Sequence, residues 1–414
     1  MKEPLLKTLT GLRGNPRACV YTEPLWGISI YILLPYASVY MLAIGLSDFQ
    51  VGFIASVYMF SQVICAFFSG PITDKLGRRK TVAIFDFIAW NMPCLIWWRA
   101  SNFWYFFIAA LVNGTMQIVS NAWNCLLIED AEKSQITRIH SLVVVAVQLS
   151  SFLGPIVVLM FSRMTLVPAM HVLYLNGFVI MTAKIVICYY YSRETQMGLV
   201  RMAEARGKSI FSLSLGYGKV LKIIGKSRGT IFAMTITVIF GIAVMINNTF
   251  WQVIVNKKLL VPDHLLPFFP ILKSSVAIVF LFFIAPHLSR ENLKFPLLLG
   301  FCSFFAGQTI LVLAPAGDAS LKYIMICVSL VFDGLGFGAL QMLSRALVAL
   351  NANPAERARV MAVLHMIIMA VTSPFGWIAG LLSSVSRNLP FVLNLCLLAG
   401  GVCVTIAYYL KKEA

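Results

Sequence analysis

Three carboxyl groups, Glu23, Asp86 and Asp333, stand inside long apolar stretches of the chain. An ionised side chain is costly in such surroundings, so each marks a candidate site. Burial favours the neutral acid, which makes an embedded carboxyl a natural carrier of a proton. Glu23 lies about one helical turn into the first apolar run, in the stretch YTEPLWG, next to the helix-disturbing Pro24. Asp333 lies near the middle of another run, with glycines at 334, 336 and 338 that permit close packing or bending. Glu23 and Asp333 are therefore candidates for proton coupling. The alternative is a structural salt bridge, for instance between Glu23 and a nearby base. The embedded bases are Lys184, Lys273 and Arg345. If they converge, an anionic substrate follows; Arg345, near the end of its run, can instead reach the polar surface. His365 could titrate near neutral pH, although a lone buried histidine is more often a hydrogen-bonded structural residue.

Uncharged amides form a second constellation. Asn113, Gln117, Asn121 and Asn124 follow at steps of four, four and three, which puts them on one helical face. They offer donors and acceptors without charge, as a polar cavity requires; the alternative is hydrogen bonding between packed helices. Asn247, Asn248, Trp251 and Gln252 cluster in the stretch NNTFWQ and combine amides with an aromatic face. That pairing suits a sugar or an aromatic drug, or simply a tryptophan at a polar interface. The sequence has no phosphate loop, zinc-ligand spacing or nucleophilic triad. This argues against an ATP-driven pump and against an enzyme, and no cofactor or metal is expected. The nine cysteines are scattered singly and read as small core hydrophobes.

The elements that must position these groups follow from composition. The chain of 414 residues is 59% hydrophobic and 12% charged, whereas a soluble chain is about 45–50% apolar and about 25% charged. Apolar surface on that scale needs a lipid bilayer. A membrane-crossing helix takes about 20 apolar residues, and twelve stretches qualify: 20–45, 50–72, 80–100, 103–128, 139–162, 168–191, 230–255, 265–286, 295–314, 321–348, 358–383 and 388–410. The basic N-terminus followed by so long a run reads as a first span, not as a cleaved signal. The polar segment 192–229 divides the spans six and six, giving an N-terminal bundle over 1–191, a linker over 192–229 and a C-terminal bundle over 230–414. Within the linker, Leu213–Ile224 is spaced as a helix lying on the membrane, with Lys219 and Lys222 among its apolar residues.

An even number of spans places both termini on one side. That side carries about 24 Lys and Arg and the other about 6, which marks it as cytoplasmic. The same asymmetry explains the net charge of +17 without nucleic acid. Tryptophans at 97, 98 and 104, and tyrosines at 189–191 and 408–409, fall where interface aromatics belong. The halves also echo one another. DAEKSQITR at 130–138 and NANPAERAR at 351–359 open equivalent spans, and Asn113-Gly114 matches Asp333-Gly334. Such repeats mark secondary transporters.

Between the second and third spans lies SGPITDKLGRRKT, residues 69–81. Gly70, Asp74, Gly77, Arg78 and Arg79 match the pattern Gly-x-x-x-Asp-Arg-x-Gly-Arg-Arg, with Lys75 in place of its first Arg. With this loop, the six-plus-six plan and the basic linker, the chain resembles the major facilitator superfamily over nearly its whole length. In physical terms, Gly70 lets the second span pack closely and Gly77 allows a tight turn. Asp74 can cap a helix N-terminus. Arg78 and Arg79 can bridge to Glu129 and Asp130 at the end of span four. The resemblance implies a cytoplasmic gate motif that latches this face shut; the plain alternative is a positively charged anchor. The matching loop of the second half keeps only Arg290, Glu291 and Lys294. In span five, Gly154-Pro155 matches part of the family's antiporter motif, while Ser141, Ser150 and Val158-Leu159 depart from it.

The resemblance further implies an all-α integral membrane protein of twelve helices in two pseudo-symmetric six-helix bundles, working by alternating access around a site near the midplane between them. It places Asp86 and Lys184 on peripheral helices, where Asp86 would be structural and Lys184 would reach outward. It makes the outer part of span seven a substrate-facing segment. The expected function is secondary active transport of a small organic solute at the plasma membrane, proton-coupled, with a lean to efflux by antiport, in a monomer with both termini cytoplasmic. Uptake of a sugar-like or anionic solute, flipping of a lipid-linked molecule, and a non-transporting membrane sensor are the alternatives.

Overall fold

The structure is a computed structural model that describes residues 5–132, 135–213, 228–284, 293–317, 319–351 and 357–413. Every regular element among them is helical, as a spanning chain must be when lipid can satisfy no backbone group. In the first half the spans are α1 (Gly14–Ala43), α2 (Asp48–Leu76), α3 (Arg78–Trp98), α4 (Phe103–Ile128), α5 (Arg138–Arg163) and α6 (Leu166–Tyr191). In the second half they are α7 (Arg228–Lys258), α8 (Phe268–Val279), α9 (Lys294–Leu313), α10 (Ser320–Ser344), α11 (Val363–Val385) and α12 (Leu389–Lys411). Eleven of these are long and apolar enough to cross a bilayer; α8 continues as the π-helical turn Phe280–Ile284 to the edge of the described residues. The surface helix expected at Leu213–Ile224 lies almost wholly outside the described residues, as do the core of the second-half loop with Arg290 and Glu291, residues 352–356, and the side chain of Arg345.

Several spans depart from regular α-helix at defined places. Pro24 sits inside α1, and Pro35 opens a 3-10 turn at Leu34–Tyr36. α3 carries a π-helical turn at Phe87–Asn91, which leaves backbone carbonyls off the regular ladder. The side chains of neighbouring helices take up such groups: the Asn113 amide of α4 donates to the Ala89 carbonyl.

The chain forms two compact units, Met1–Tyr40 with Val57–Leu215, and Met41–Ser56 with Gly216–Ala414. In the first, α1 packs on α5 and α6. Gly27 makes this possible, because a Cβ there would meet Ser150 Oγ at 2.6 Å. In this unit rings gather around the buried Tyr40, which contacts Phe106 and Tyr174 and donates to the Trp97 carbonyl at 2.8 Å. In the second unit, α9 and α10 pack around the fully buried Phe301 and Phe304, with Leu340 against them. The start of α2 lies against α11 at a crossing built from Gly52, Gly376 and Gly380. A Cβ at Gly380 would meet the Asp48 carbonyl at 2.9 Å. Asp48 seals that crossing by accepting from Ser383 Oγ at 2.9 Å and pairing with Arg387.

Candidate functional site

The charged loop between α2 and α3 is reduced to one residue. Gly77 turns the chain with φ of 84°, and a Cβ there would also meet Glu194 Oε2 at 2.5 Å. So short a turn leaves the N-terminus of α3 facing the segment after α6. The Glu194 carboxylate fills that end, accepting from the backbone N–H groups of Arg78 and Arg79 at 3.0 and 3.1 Å. An anion belongs at this pole of a helix. The sequence assigned such a role to Asp74; instead Asp74 accepts from Arg78 Nη1 at 3.1 Å within the loop itself.

Arg78, 4% exposed, forks onto Glu129 with Nε–Oε2 and Nη2–Oε1 distances of 3.1 Å each, as expected for this pair. Arg79 and Asp130 do not meet. Arg79 donates to the Tyr189 carbonyl at 3.0 and 2.8 Å and lies 3.9 Å over that ring. Asp130 accepts from Asn15 Nδ2 at 2.9 Å, and Asn15 Oδ1 in turn accepts from the Arg193 N–H at 2.7 Å. Thr195 donates to Glu129 while capping the short helix Gln196–Glu204. The linker's first residues are thus built into the motif. At Gly70 the expected close packing is not found among the described residues: a Cβ there would meet none of them within 4 Å. The neighbouring described helices leave space beside it.

Deeper in the first unit lies a cavity of about 200 Å³. Its lining comes from four helices: Glu23 and Trp26 on α1, Asp86 and Trp90 on α3, Lys184 on α6, and Met116, Val119, Ser120, Trp123 and Asn124 on α4. Spacings of three and four within each helix bring these residues to one face. Lys184 and Asp86 are 2% and 1% exposed and form an ion pair. This corrects the expectation that Lys184 reaches outward: a carboxylate on the adjacent α3 offers its ammonium a partner inside the bundle, and two opposite charges taken from water stay together. Glu23, 7% exposed, makes no hydrogen bond or ion pair among the described residues, although the charges of Lys184 and Asp86 act on it. The cavity therefore holds a compensated pair and one further carboxyl. Trp26 meets Trp90 edge to face at 5.8 Å. The π-helical turn of α3 starts next to Asp86 and includes Trp90. Turns of this kind are common at functional sites.

The amide stripe of α4 divides. Asn124 lines the cavity, its Nδ2 donating to the Ser120 carbonyl at 2.7 Å. Asn113 bonds across to α3, and Asn121 bonds across to Thr73 of α2 at 3.3 Å. Gln117 is half-buried and is not among the cavity residues. In the second unit, Asp333 on α10 is 1% exposed and accepts from Asn247 Nδ2 at 3.2 Å and Gln308 Nε2 at 2.8 Å, both on Oδ2. Its Oδ1 has no hydrogen-bond partner among the described residues. Lys273 is the nearby base acting on Asp333, with its ammonium 5.2 Å from the Phe337 ring centre. Trp251 is buried edge-on against Phe269 at 5.3 Å, Gln252 is buried, and Asn248 is exposed. His365 is exposed. Among the described residues no group of His, Cys, Asp and Glu is arranged to hold a metal.

The sequence reading missed Glu194, Gln308 and the three cavity tryptophans. A signal for two of the tryptophans existed, since Trp26 follows Glu23 by three residues and Trp90 follows Asp86 by four. Glu194 carried none, because its partner is a backbone.

The sequence model described as Major Facilitator Superfamily matches residues 25–376. An uncharacterised MFS-type transporter of Bacillus subtilis (strain 168), YqjV, is 28% identical over 131 residues, which is 31% of this chain and 32% of that relative. The match thus spans about a third of the relative's length. Among solved structures, a mutant form of the nucleoside transporter NupG is 14% identical with a TM-score of 0.74, covering 96% of this chain and 99% of that one. A mutant peptide transporter POT with bound sulfate is 14% identical with a TM-score of 0.71, covering 100% and 98%. At these identities the likeness shows the fold, twelve helices in two six-helix bundles.

Proposed function

The chain belongs to the Major Facilitator Superfamily and is a multi-pass membrane transporter of the secondary kind, and from that premise we propose that it moves a small organic solute in exchange for protons. The observation that carries the proposal is Glu23, a buried carboxyl without a hydrogen-bonding partner among the described residues, set in a cavity whose other charges compensate one another. A group so placed can hold a proton or release it to a competing ligand at low structural cost. Asp333, bonded through one oxygen only, is the equivalent candidate in the second unit.

Uptake of an anion is less favoured, because Lys184 is committed to Asp86. The gate motif, with Arg78 on Glu129 and Glu194 on the α3 N-terminus, stands at the cytoplasmic face in this reading. Both termini are cytoplasmic, the membrane is the plasma membrane, and the working form is a monomer. The test is purified protein in liposomes with an internal pH-sensitive dye and imposed gradients of cationic, neutral and anionic solutes. A solute-dependent proton flux is the expected result. Labelled-solute counterflow with no proton movement under any gradient would reduce the protein to a uniporter.

A further inference from the structure

The cavity of the first unit is more specific than a generic polar site. Three indole side chains line it, from three different helices, together with the Met116 thioether. Indole is the best of the aromatic faces for holding a cation, and thioethers pack well against aromatic rings. Its polar lining consists of Ser120, Asn124, the Asp86–Lys184 pair and Glu23. With Glu23 ionised, the charges lining the cavity sum to minus one, since Asp86 and Lys184 cancel. The space suffices for an aromatic ring. A dry cavity of about 150 Å³ accepts benzene, so the 200 Å³ here fits one ring with a short side chain.

We propose that this cavity binds a small aromatic organic cation, an arylalkyl ammonium, with its ring among Trp26, Trp90 and Trp123 and its ammonium on the Glu23 carboxylate. The inference rests on the transporter reading above and names the substrate class of that site. An uncompensated carboxylate in apolar surroundings has its hydrogen-bonding capacity unmet, and an ammonium supplies donors and charge together. An anion would face Glu23 directly. A neutral alcohol of the same shape would bury its ring but leave the charge unmatched. The titratable and charged groups facing Glu23 are Asp86 from α3, Lys184 and Cys188 from α6, and Cys19 on its own helix α1. When Glu23 starts protonated, the ammonium takes the place of that proton, which leaves for solvent, so one proton is released for each cation bound.

The test uses the purified full chain in detergent and three isosteric probes: phenethylammonium, phenethyl alcohol and phenylacetate. Binding is read by calorimetry and by the saturable change in tryptophan fluorescence. The cation should bind at least about tenfold more tightly than the alcohol, the margin a charge-assisted hydrogen bond supplies. Glu23→Gln should remove that margin and Glu23→Asp should restore part of it. Trp123→Leu should weaken the cation and the alcohol alike, with Trp123→Phe intermediate. Melting temperatures of all variants confirm that each is folded. Equal binding of cation and alcohol, tighter binding of phenylacetate, indifference to Glu23→Gln, or no binding of any probe would each overturn the proposal. The transporter reading has a separate readout. Its proton-exchange part survives any of these outcomes if another solute still drives proton flux in liposomes and fails if none does, and labelled-solute counterflow reads transport itself.

Discussion

The buried Lys184–Asp86 pair allows a quantitative test. Its members lie on α6 and α3, are 2% and 1% exposed, and bond directly. Removing one partner of such a pair leaves an uncompensated charge in an apolar interior and costs about 3–5 kcal/mol. Lys184→Met keeps the side-chain length and removes the charge, so it should destabilise the first unit by about that amount. Asp86→Asn should do the same from the other side. The double substitution leaves no charge behind. Its remaining cost is that of one imperfectly bonded amide, about 1–3 kcal/mol. The double variant should therefore be more stable than Lys184→Met alone by about 2 kcal/mol, although it carries one more substitution. The assay is denaturant unfolding in detergent micelles, followed by tryptophan fluorescence, since Trp26, Trp90 and Trp123 line the adjoining cavity. Additive costs in the double variant, or single costs below about 1 kcal/mol, would refute the claim that the two charges hold each other in the interior.

Other consequences follow from the same geometry. Glu194→Ala removes the anion from the α3 N-terminus and should cost about 0.5–2 kcal/mol, the range for a lost helix cap, measured by the same unfolding assay. Gly380→Val places a side chain where the Asp48 carbonyl already stands at 2.9 Å from a bare Cβ. It should destabilise the second unit by about 1–3 kcal/mol as overpacking does and shift the melting temperature accordingly. Asp333→Asn keeps the size of a group that accepts two amide hydrogen bonds but cannot ionise. Proteoliposomes of this variant should show solute counterflow with proton-driven accumulation lost.

Much of the fold was legible because its signals are local. Runs of apolar residues fix the spans, and Gly77, between Leu76 and Arg78, fixes the turn between α2 and α3. The Arg78–Glu129 bridge was legible because two opposite charges at helix ends have few other partners. The rest depended on helix rotation, which an all-round apolar helix does not reveal. Lys184 could have turned to either side of α6, and only the position of Asp86 on α3 decided it. Asn113, Asn121 and Asn124 share a helical face, yet two of them bond to other helices and one lines the cavity, because their neighbours differ at each level of the bundle. Glu194 acts on a backbone terminus and leaves no mark in side-chain pattern at all.

The central claim is that Glu23 exchanges a proton for a solute. The most direct measurement is proton flux in liposomes carrying wild-type protein or Glu23→Gln, driven by an imposed gradient of a transported solute. The account predicts a solute-dependent flux in the wild type and its loss in Glu23→Gln, with the variant still folded and still extracting into the same detergent peak. A variant that couples protons as well as the wild type would contradict it.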